Sequence, residues 1–166
     1  MIVLDSSTMI LVAKIDMLEI FISNVHSRVL IPERVKSEVY SGKREDTLLI
    51  TKLIEDKKIH VLRVKNSKLI RKLMEDFDIE AGEAEALALA VQENAAVIAT
   101  DDRNAIRACK ILKKEFTTAI AVLIRALEKR LIDKDEALIK LQKLESIARY
   151  SRLIIENAKK QIKGGV

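Results

Sequence analysis

The stretch that decides the fold covers residues 80–103 and reads EAGEAEALALAVQENAAVIATDDR. Residues 81–94 are rich in small apolar side chains, which predicts a buried helix. The apolar run at residues 97–100 predicts a strand buried on both faces, as in a parallel α/β sheet. Two carboxylates, Asp101 and Asp102, stand where this strand stops. Because open α/β sheets bind ligands outside the carboxyl ends of their strands, these acids are predicted to lie at a functional site.

The first residues of the chain repeat this arrangement. Ile2–Leu4 form an apolar strand, and Asp5 ends it. An aspartate in such a place is sometimes no more than a helix cap. Because Ser6 or Ser7 can supply that cap instead, a functional role for Asp5 is favoured. Two strand-end acids of this kind predict a shared acidic site.

Glutamates on two predicted helices are further candidates. Glu83 falls in the first turn of the buried helix, where the helix dipole stabilises a carboxylate, and this helix end is predicted to face the strand ends. Glu85 points the opposite way around the helix and is a candidate for a supporting or interface role. Glu38 lies on a short helix that is predicted to start at Pro32 and to end near residues 41–42.

These acids form a set of hard oxygen donors with few soft ligands beside them. The chain has two histidines and one cysteine, too few for a zinc site or a Cys–His nucleophile. Clustered carboxylates repel one another, and a divalent cation removes that cost. Oxygen donors favour Mg²⁺ or Mn²⁺. The candidate ligands of such an ion are Asp5, Glu83, Asp101 and Asp102.

Strands alternate with helices along the rest of the chain. Further strands are predicted at residues 28–31, at residues 59–64 and near Glu115–Thr117. This alternation predicts a three-layer α/β/α fold with a central, mainly parallel sheet.

The last two predicted helices, at about residues 133–147 and 150–163, form a C-terminal helical hairpin before a glycine tail at residues 164–165. We expect a single domain over residues 1–166, with a core of about 1–130.

The composition predicts a chain with room for a proper core and without a secretory or membrane pattern. It has 166 residues, 49% of them apolar, and no apolar run long enough to span a bilayer. The first residues, MIVLD, lead directly into a strand, so a cytoplasmic protein is expected. The lone Cys109 agrees with a reducing compartment.

Charge is distributed unevenly along the chain. Residues 1–102 hold 14 Lys and Arg against 18 Asp and Glu, whereas residues 103–166 hold 16 against 7. This asymmetry indicates a polyanionic partner, although a Lys/Glu-rich solvated surface, as in a heat-adapted protein, explains it equally well. Three Phe, two Tyr and no Trp argue against base stacking as the main mode of binding.

Four segments, in order and with helix–strand spacing between them, carry a family resemblance. They read IVLDSS (2–7), PERVKSEV (32–39), GEAEALALA (82–90) and TDDRNAIRAC (100–109). The chain resembles PIN-domain nucleases, and among them the prokaryotic VapC-like toxins and their close relatives.

This resemblance implies a PIN-like fold and a set of site residues. The implied catalytic acids are Asp5, Glu38, Glu83 and Asp102. Asp101 occupies a variable position, where it adds a metal ligand or only caps a helix. The implied helper residues are Ser6, Thr100 and Glu85. The basic residues predicted to bind nucleic acid are Arg103, Arg107, Lys110, Lys113, Lys114 and Arg125.

The function implied is that of an endoribonuclease dependent on Mg²⁺ or Mn²⁺ that acts on single-stranded or looped RNA. The implied setting is a toxin–antitoxin pair in which a small antitoxin protein blocks the site, and the hairpin can contribute to a homodimer interface. A nuclease of RNA processing and an inactive PIN-like binding module are the alternatives. A receiver-type phosphoacceptor domain is disfavoured, because residues 115–118 lack the lysine that it would need.

Overall fold

Five parallel strands form the centre of the described chain, which in this computed structural model comprises residues 1–41 and 45–164. Their order across the sheet is β3-β2-β1-β4-β5, and each neighbouring pair is parallel, so the predicted parallel sheet is confirmed. Gly42 and Gly165, where a helix end and a tail are predicted, lie outside the described residues. The strands are β1 (Ile2–Leu4), β2 (Val29–Pro32), β3 (Ile59–Leu62), β4 (Val97–Ala99) and β5 (Glu115–Thr117).

Ten helices in the described residues connect and cover these strands. In chain order they are α1 (Ser6–Lys14), α2 (Leu18–Asn24), α3 (Glu33–Ser41), α4 (Glu45–Glu55), α5 (Ser67–Phe77), α6 (Ala81–Gln92), α7 (Arg103–Ile111), α8 (Ala119–Glu128), α9 (Lys134–Ile147) and α10 (Arg152–Gly164).

The side chains of each central strand alternate between two separate cores. Leu4 and Ile31 pack on the face of the sheet that is covered by α1–α4 and α8–α10. Val3, Leu30 and Ile98 pack on the opposite face, under α5, α6 and α7. Because successive strand residues point to opposite faces, both faces of the sheet bury apolar side chains. The predicted three-layer α/β/α fold is therefore confirmed.

Helix α6 is buried on most of its surface, as its composition predicts. Gly82, Ala84 and residues 86–90 are all buried, in contact with the sheet and with α3, α5 and α7. Small side chains permit this close approach on several sides at once. Since β4 follows α6 in a parallel sheet, the helix runs back across the sheet and its first turn lies at the carboxyl edge.

The last two helices form the predicted hairpin and share the core on the α1 side of the sheet. Lys140 on α9 donates a hydrogen bond from Nζ to the carbonyl oxygen of Ile15 (2.7 Å), which ties the hairpin to the end of α1. In the described part of the chain, no helix is both long and apolar enough to cross a bilayer. The buried residues of the hairpin are Ala137, Leu141, Leu144, Ile155, Ala158 and Ile162.

The predicted start of the helix after β2 is wrong. Pro32 is the last residue of β2, opposite Leu62 of β3, and helix α3 begins at Glu33. Proline lacks the N–H that would continue a ladder, so it is tolerated where a strand ends.

Candidate active site

The order of the strands creates a crevice between β1 and β4. From β1 the chain adds β2 and β3 on one side and later β4 and β5 on the other, so β1 and β4 meet where the winding reverses. Leu4 and Ala99 are in register, and the N–H of Asp5 donates to the carbonyl of Ala99 (3.1 Å). Asp5 and Thr100 therefore leave the sheet side by side, at the place where α/β sheets bind ligands.

Asp5 is fully buried and caps α1. Its Oδ1 accepts hydrogen bonds from the N–H of Thr8 (2.7 Å) and the hydroxyl of Ser7 (3.2 Å). The expectation that Ser6 or Ser7 caps this helix is wrong, because both lie inside its first turn. Asp5 Oδ2 is buried, and no described residue donates to it. Burial raises the pKa of Asp5 to about 6, against the opposing effect of the Thr100 hydroxyl.

Glu83 stands in the first turn of α6 beside the other acids. Its Oε2 accepts a hydrogen bond from the N–H of Glu80 (2.7 Å), the residue before the helix. Burial, with a smaller contribution from the negative charges of Asp102 and Asp5, raises the pKa of Glu83 to about 7. Because Asp102 and Asp5 both affect the pKa of Glu83, the three carboxylates lie close enough to interact electrostatically.

Asp102 caps α7, and Thr100 supports it. Asp102 Oδ1 accepts the N–H of Ala105 (2.7 Å), and its own N–H donates to Thr100 Oγ1 (3.3 Å). Thr100 is buried, and its hydroxyl lowers the pKa of Asp5. The Thr100 hydroxyl, a predicted helper, thus interacts with both Asp5 and Asp102, although its role in function stays a prediction.

Glu38 reaches the site from α3. It is half-buried, and the hydroxyl of Ser6 donates to its Oε2 (2.6 Å), which connects α3 to α1. Its carboxylate lies against Gly82, where an added Cβ would stand 2.7 Å from both carboxylate oxygens. The glycine at the start of α6 therefore provides the space that the Glu38 carboxylate occupies.

Asp101 links three separate segments of the described chain through hydrogen bonds to its carboxylate. Its Oδ2 accepts hydrogen bonds from the Thr8 hydroxyl (2.9 Å) and the Ala119 N–H (3.0 Å), and its Oδ1 accepts the Tyr150 hydroxyl (2.6 Å). Burial and the charge of Asp101 raise the pKa of Tyr150 above its usual range. Because both oxygens of Asp101 have protein donors, the geometry favours positioning over metal ligation, which stays a prediction for this residue.

Glu85 faces α3 and not the acids. Its Oε1 accepts a hydrogen bond from Arg34 Nε (2.8 Å) in an ion pair that leaves the Glu85 side chain 16% exposed. This pair raises the pKa of Arg34. Its predicted supporting role therefore amounts, in the structure, to a link between α6 and α3.

A cleft of about 890 Å³ opens in front of the strand-end acids. One part of its wall carries Glu83 and Asp102, and other parts carry Lys14, Arg103 and Arg149. None of these three cations forms an ion pair with a residue that the structure describes. The cleft thus combines carboxylates with cations that are available to an anion.

Of the six predicted nucleic-acid-binding residues, Arg103 alone lines this cleft. Arg107 and Lys110 lie over the rings of Phe77 and Phe116, and Lys114 donates to Asn94 and Ala95 at the opposite edge of the sheet. Arg125 pairs with Glu128 (2.8 Å) beside a separate groove, and Lys113 is the residue before Lys114. A binding role for those five residues stays a prediction.

The donor chemistry of the site fits a hard divalent cation. Asp5, Glu83 and Asp102 each engage one carboxylate oxygen with a backbone N–H, and among residues 1–41 and 45–164 no donor binds the second. The buried, unpartnered Asp5 Oδ2 would gain most from a cation. Within the same ranges, no three Asp, Glu, His or Cys side chains are gathered closely enough to enclose an ion as they stand.

Several contributors to the site carry no clear signal in the sequence. Tyr150 is 49 residues from its partner Asp101, and Arg149 and Lys14 are two among 30 basic residues. Ser7 and Thr8 follow Asp5 directly, and the capping role of Asp5 that involves them was recognisable in the sequence as the alternative to a functional role.

The fold and the site define a class, an α/β protein with an acidic cleft at the reversal point of its parallel sheet. The chain matches the family model described as DUF3368: PIN domain over residues 1–163. It belongs to the PIN-domain family, whose members are generally metal-dependent nucleases. The resemblance of the four segments to the PIN-domain family is thereby confirmed, whereas the closer resemblance to VapC-like toxins stays a prediction. A search of the curated proteins gave no match.

Proposed function

We propose that this protein is an endoribonuclease dependent on Mg²⁺ or Mn²⁺, with Asp5, Glu83 and Asp102 as the ligands of the cation. The observation that carries the proposal is the buried Asp5 carboxylate, whose Oδ2 has no donor in the described chain and whose pKa is raised to about 6. When bound, such an ion supplies positive charge toward a phosphodiester and lowers the pKa of water.

The chain's own residues have separable tasks in this proposal. Helices α1 and α7 hold Asp5 and Asp102 through their caps, which fixes the orientation of both carboxylates. The Thr100 hydroxyl lowers the pKa of Asp5, so this side chain ionises at a lower pH than burial alone would allow. Glu38, held by Ser6, adds a fourth carboxylate from the side. Arg103 offers positive charge to a substrate phosphate at the cleft.

The biological setting that we propose is the toxin of a toxin–antitoxin pair, acting in the cytoplasm as a homodimer and blocked by a small antitoxin protein. The resemblance of the four segments to VapC-like toxins supports this setting. Expression alone is expected to arrest growth, and the Asp102→Asn variant is expected not to. A nuclease of RNA processing would leave growth unaffected at matched expression.

The activity is tested with a 5′-labelled, unstructured RNA of about 20 nucleotides and a DNA of the same sequence. Wild type is expected to cleave the RNA with Mg²⁺ or Mn²⁺, to stop with EDTA, and to leave 5′-phosphate ends. Asp5→Asn and Asp102→Asn should each reduce cleavage by at least about 100-fold. The matched control is Asp76→Asn, an exposed acid paired with Lys72 on α5.

Equal trace activity in wild type and both site variants would contradict the enzyme assignment. Cleavage of DNA in preference to RNA would contradict the assignment of substrate.

A further inference from the structure

The segment between α9 and α10 forms a wall of the acidic cleft. Residues 148–151 all line it, and Ile147 and Ile154 continue the same wall on either side. Both isoleucines are partly exposed, at 39% and 47%. The C-terminal hairpin therefore belongs to the surroundings of the site as well as to the core of the fold.

This segment is attached to the backbone that carries the acids. The Tyr150 hydroxyl donates to Asp101 Oδ1 (2.6 Å), and Asp101 directly precedes Asp102. The other oxygen of Asp101 binds Thr8 on α1 and the first N–H of α8. The half-buried carboxylate of Asp101 thus sets the position of residue 150 relative to Asp5 and Asp102.

Arg149 differs from several other cations of the hairpin, because those cations form ion pairs. Arg152 pairs with Glu156 (2.7 Å), Lys159 with Glu145 (3.2 Å), and Lys143 with a carboxylate of the α1–α2 turn. Arg149 lines the cleft and has no such partner in residues 1–41 or 45–164. Lys14, at the last position of α1, lines the same cleft and is likewise not ion-paired there.

We propose that Arg149 and Lys14 contact the phosphates of a single-stranded RNA that passes between the hairpin and the acids, and that Tyr150 and Asp101 position Arg149 for this contact. The inference rests on the proposed function and names how its substrate is held. Cations are needed beside carboxylates because the acids alone would repel a polyanion. An unpaired strand is favoured, since the cleft also exposes apolar side chains that can contact unstacked bases, such as Ile106, Ile147 and Ile154.

Binding of a fluorescein-labelled 12-nucleotide RNA is measured by anisotropy with EDTA present, so that no cleavage occurs, over a series of NaCl concentrations. Arg149→Gln and Lys14→Gln are each expected to weaken binding about tenfold. Each should also reduce the slope of log Kd against log salt by about 0.7, the value for one phosphate contact on a single strand. Arg152→Gln, a cation of the same hairpin outside the cleft, is the matched control and should leave affinity and slope unchanged.

The positioning role is tested by Tyr150→Phe, which removes the hydroxyl and keeps the ring. With Mn²⁺ and the 20-nucleotide substrate, we expect KM to rise several-fold while kcat stays within about twofold, and the salt slope to fall toward that of Arg149→Gln. Circular dichroism melting verifies that each variant is folded. A merely structural tyrosine would lower the melting temperature without changing the salt slope.

The two proposals fail in different ways. If wild type cleaves RNA and the Arg149 and Lys14 variants bind it with unchanged affinity and slope, the hairpin inference is overturned and the nuclease remains. If wild type binds RNA without cleaving it, the binding series still decides the inference while the enzyme proposal falls. If wild type neither binds nor cleaves, both are overturned.

Discussion

Asp5 and Asp102 each have a structural task, and the proposed function gives each of them a chemical task as well. Asp5 and Asp102 each use Oδ1 to cap a helix, and neither Oδ2 has a hydrogen-bond donor in the described residues. A capping interaction and a metal-facing oxygen are therefore compatible in the same side chain. The sequence poses a choice between a cap and a functional acid for Asp5. The structure shows the cap and an unpartnered Oδ2, and the functional role of that oxygen stays a prediction.

The two tasks of Asp102 can be separated by substitution. Asn caps a helix as well as Asp does, whereas Ala does not, so Asp102→Asn should retain stability within about 0.5 kcal/mol and Asp102→Ala should lose about 1 kcal/mol. Both should lose metal-dependent cleavage. Urea unfolding and the RNA assay measure the two effects. Equal activity of Asp102→Asn and wild type would contradict a role for the charge.

Burial of Asp5 and Glu83 makes stability depend on pH. Their pKa values rise from 3.8 to about 6 and from 4.5 to about 7, so between about pH 4 and 7 the folded protein retains protons that the unfolded chain has released. The free energy of unfolding of the metal-free protein should therefore fall as pH rises from 4.5 to 7.5, by ~1–3 kcal/mol. Urea unfolding in EDTA measures it, and Asp5→Asn should flatten the dependence. Stability that rises across this range would contradict buried carboxylates at the site.

At the scale of elements, the start of α6 organises the acids from its side of the sheet. Its first turn brings Glu83 to the carboxyl edge, and Gly82 leaves room for the carboxylate of Glu38 from α3. The same helix pairs with α3 through Glu85 and Arg34. Two acids on different helices are thus placed relative to each other by one helix terminus.

Gly82→Ala tests this arrangement. Alanine favours a helix over glycine by about 1 kcal/mol, so stability should stay equal or increase, while the new Cβ displaces the flexible end of Glu38. We expect cleavage to fall about tenfold. In a Glu38→Gln background, Gly82→Ala should cause no further loss of activity, because the negative charge that the new Cβ would displace has already been removed. A full additional loss in that background would show that Gly82 acts through something other than Glu38.

At the scale of the whole molecule, the parallel sheet converts distant chain segments into one site. Asp5, Glu83 and Asp102 come within electrostatic reach of one another because β1 and β4 are neighbours at the reversal of the winding, and α6 leads into β4. The C-terminal hairpin closes one side of the same cleft. The site is therefore a property of the assembled fold and of the order of its strands.

Binding of a cation should stabilise the whole fold. An ion that binds only the folded state raises the free energy of unfolding by RT ln(1 + [L]/Kd), about 2.7 kcal/mol at 100 times Kd. We expect Mn²⁺ to raise Tm more at pH 7.5 than at pH 5, where Asp5 and Glu83 hold protons that compete with the ion. Calorimetric melting with matched EDTA samples measures this. An equal shift of Tm in wild type and Asp5→Asn would indicate that the ion binds elsewhere.

The sequence predicted the layers and the strand-end acids because these depend on local patterns. The buried run at residues 97–100 and the small-residue helix before it specify a parallel α/β unit, and both were found almost at the predicted positions. The basic half of the chain was less informative, since Lys114 lies just before β5, at the opposite edge of the sheet, and Arg125 pairs with Glu128 beside a separate groove. The number of charged residues in a segment does not predict on which surface of the folded protein their side chains lie.

The chain by itself determined the fold class, the family and the set of acids, because hydrophobic periodicity and motif order are local properties of a sequence. Only the tertiary structure decided that Asp101 connects α1, α8 and Tyr150, and that Arg149 and Lys14 line the same cleft as Glu83 and Asp102. The physical reason is distance along the chain. Hydrogen bonds and electrostatic interactions between segments 18 to 135 residues apart depend on how the layers pack, and no local pattern encodes that packing.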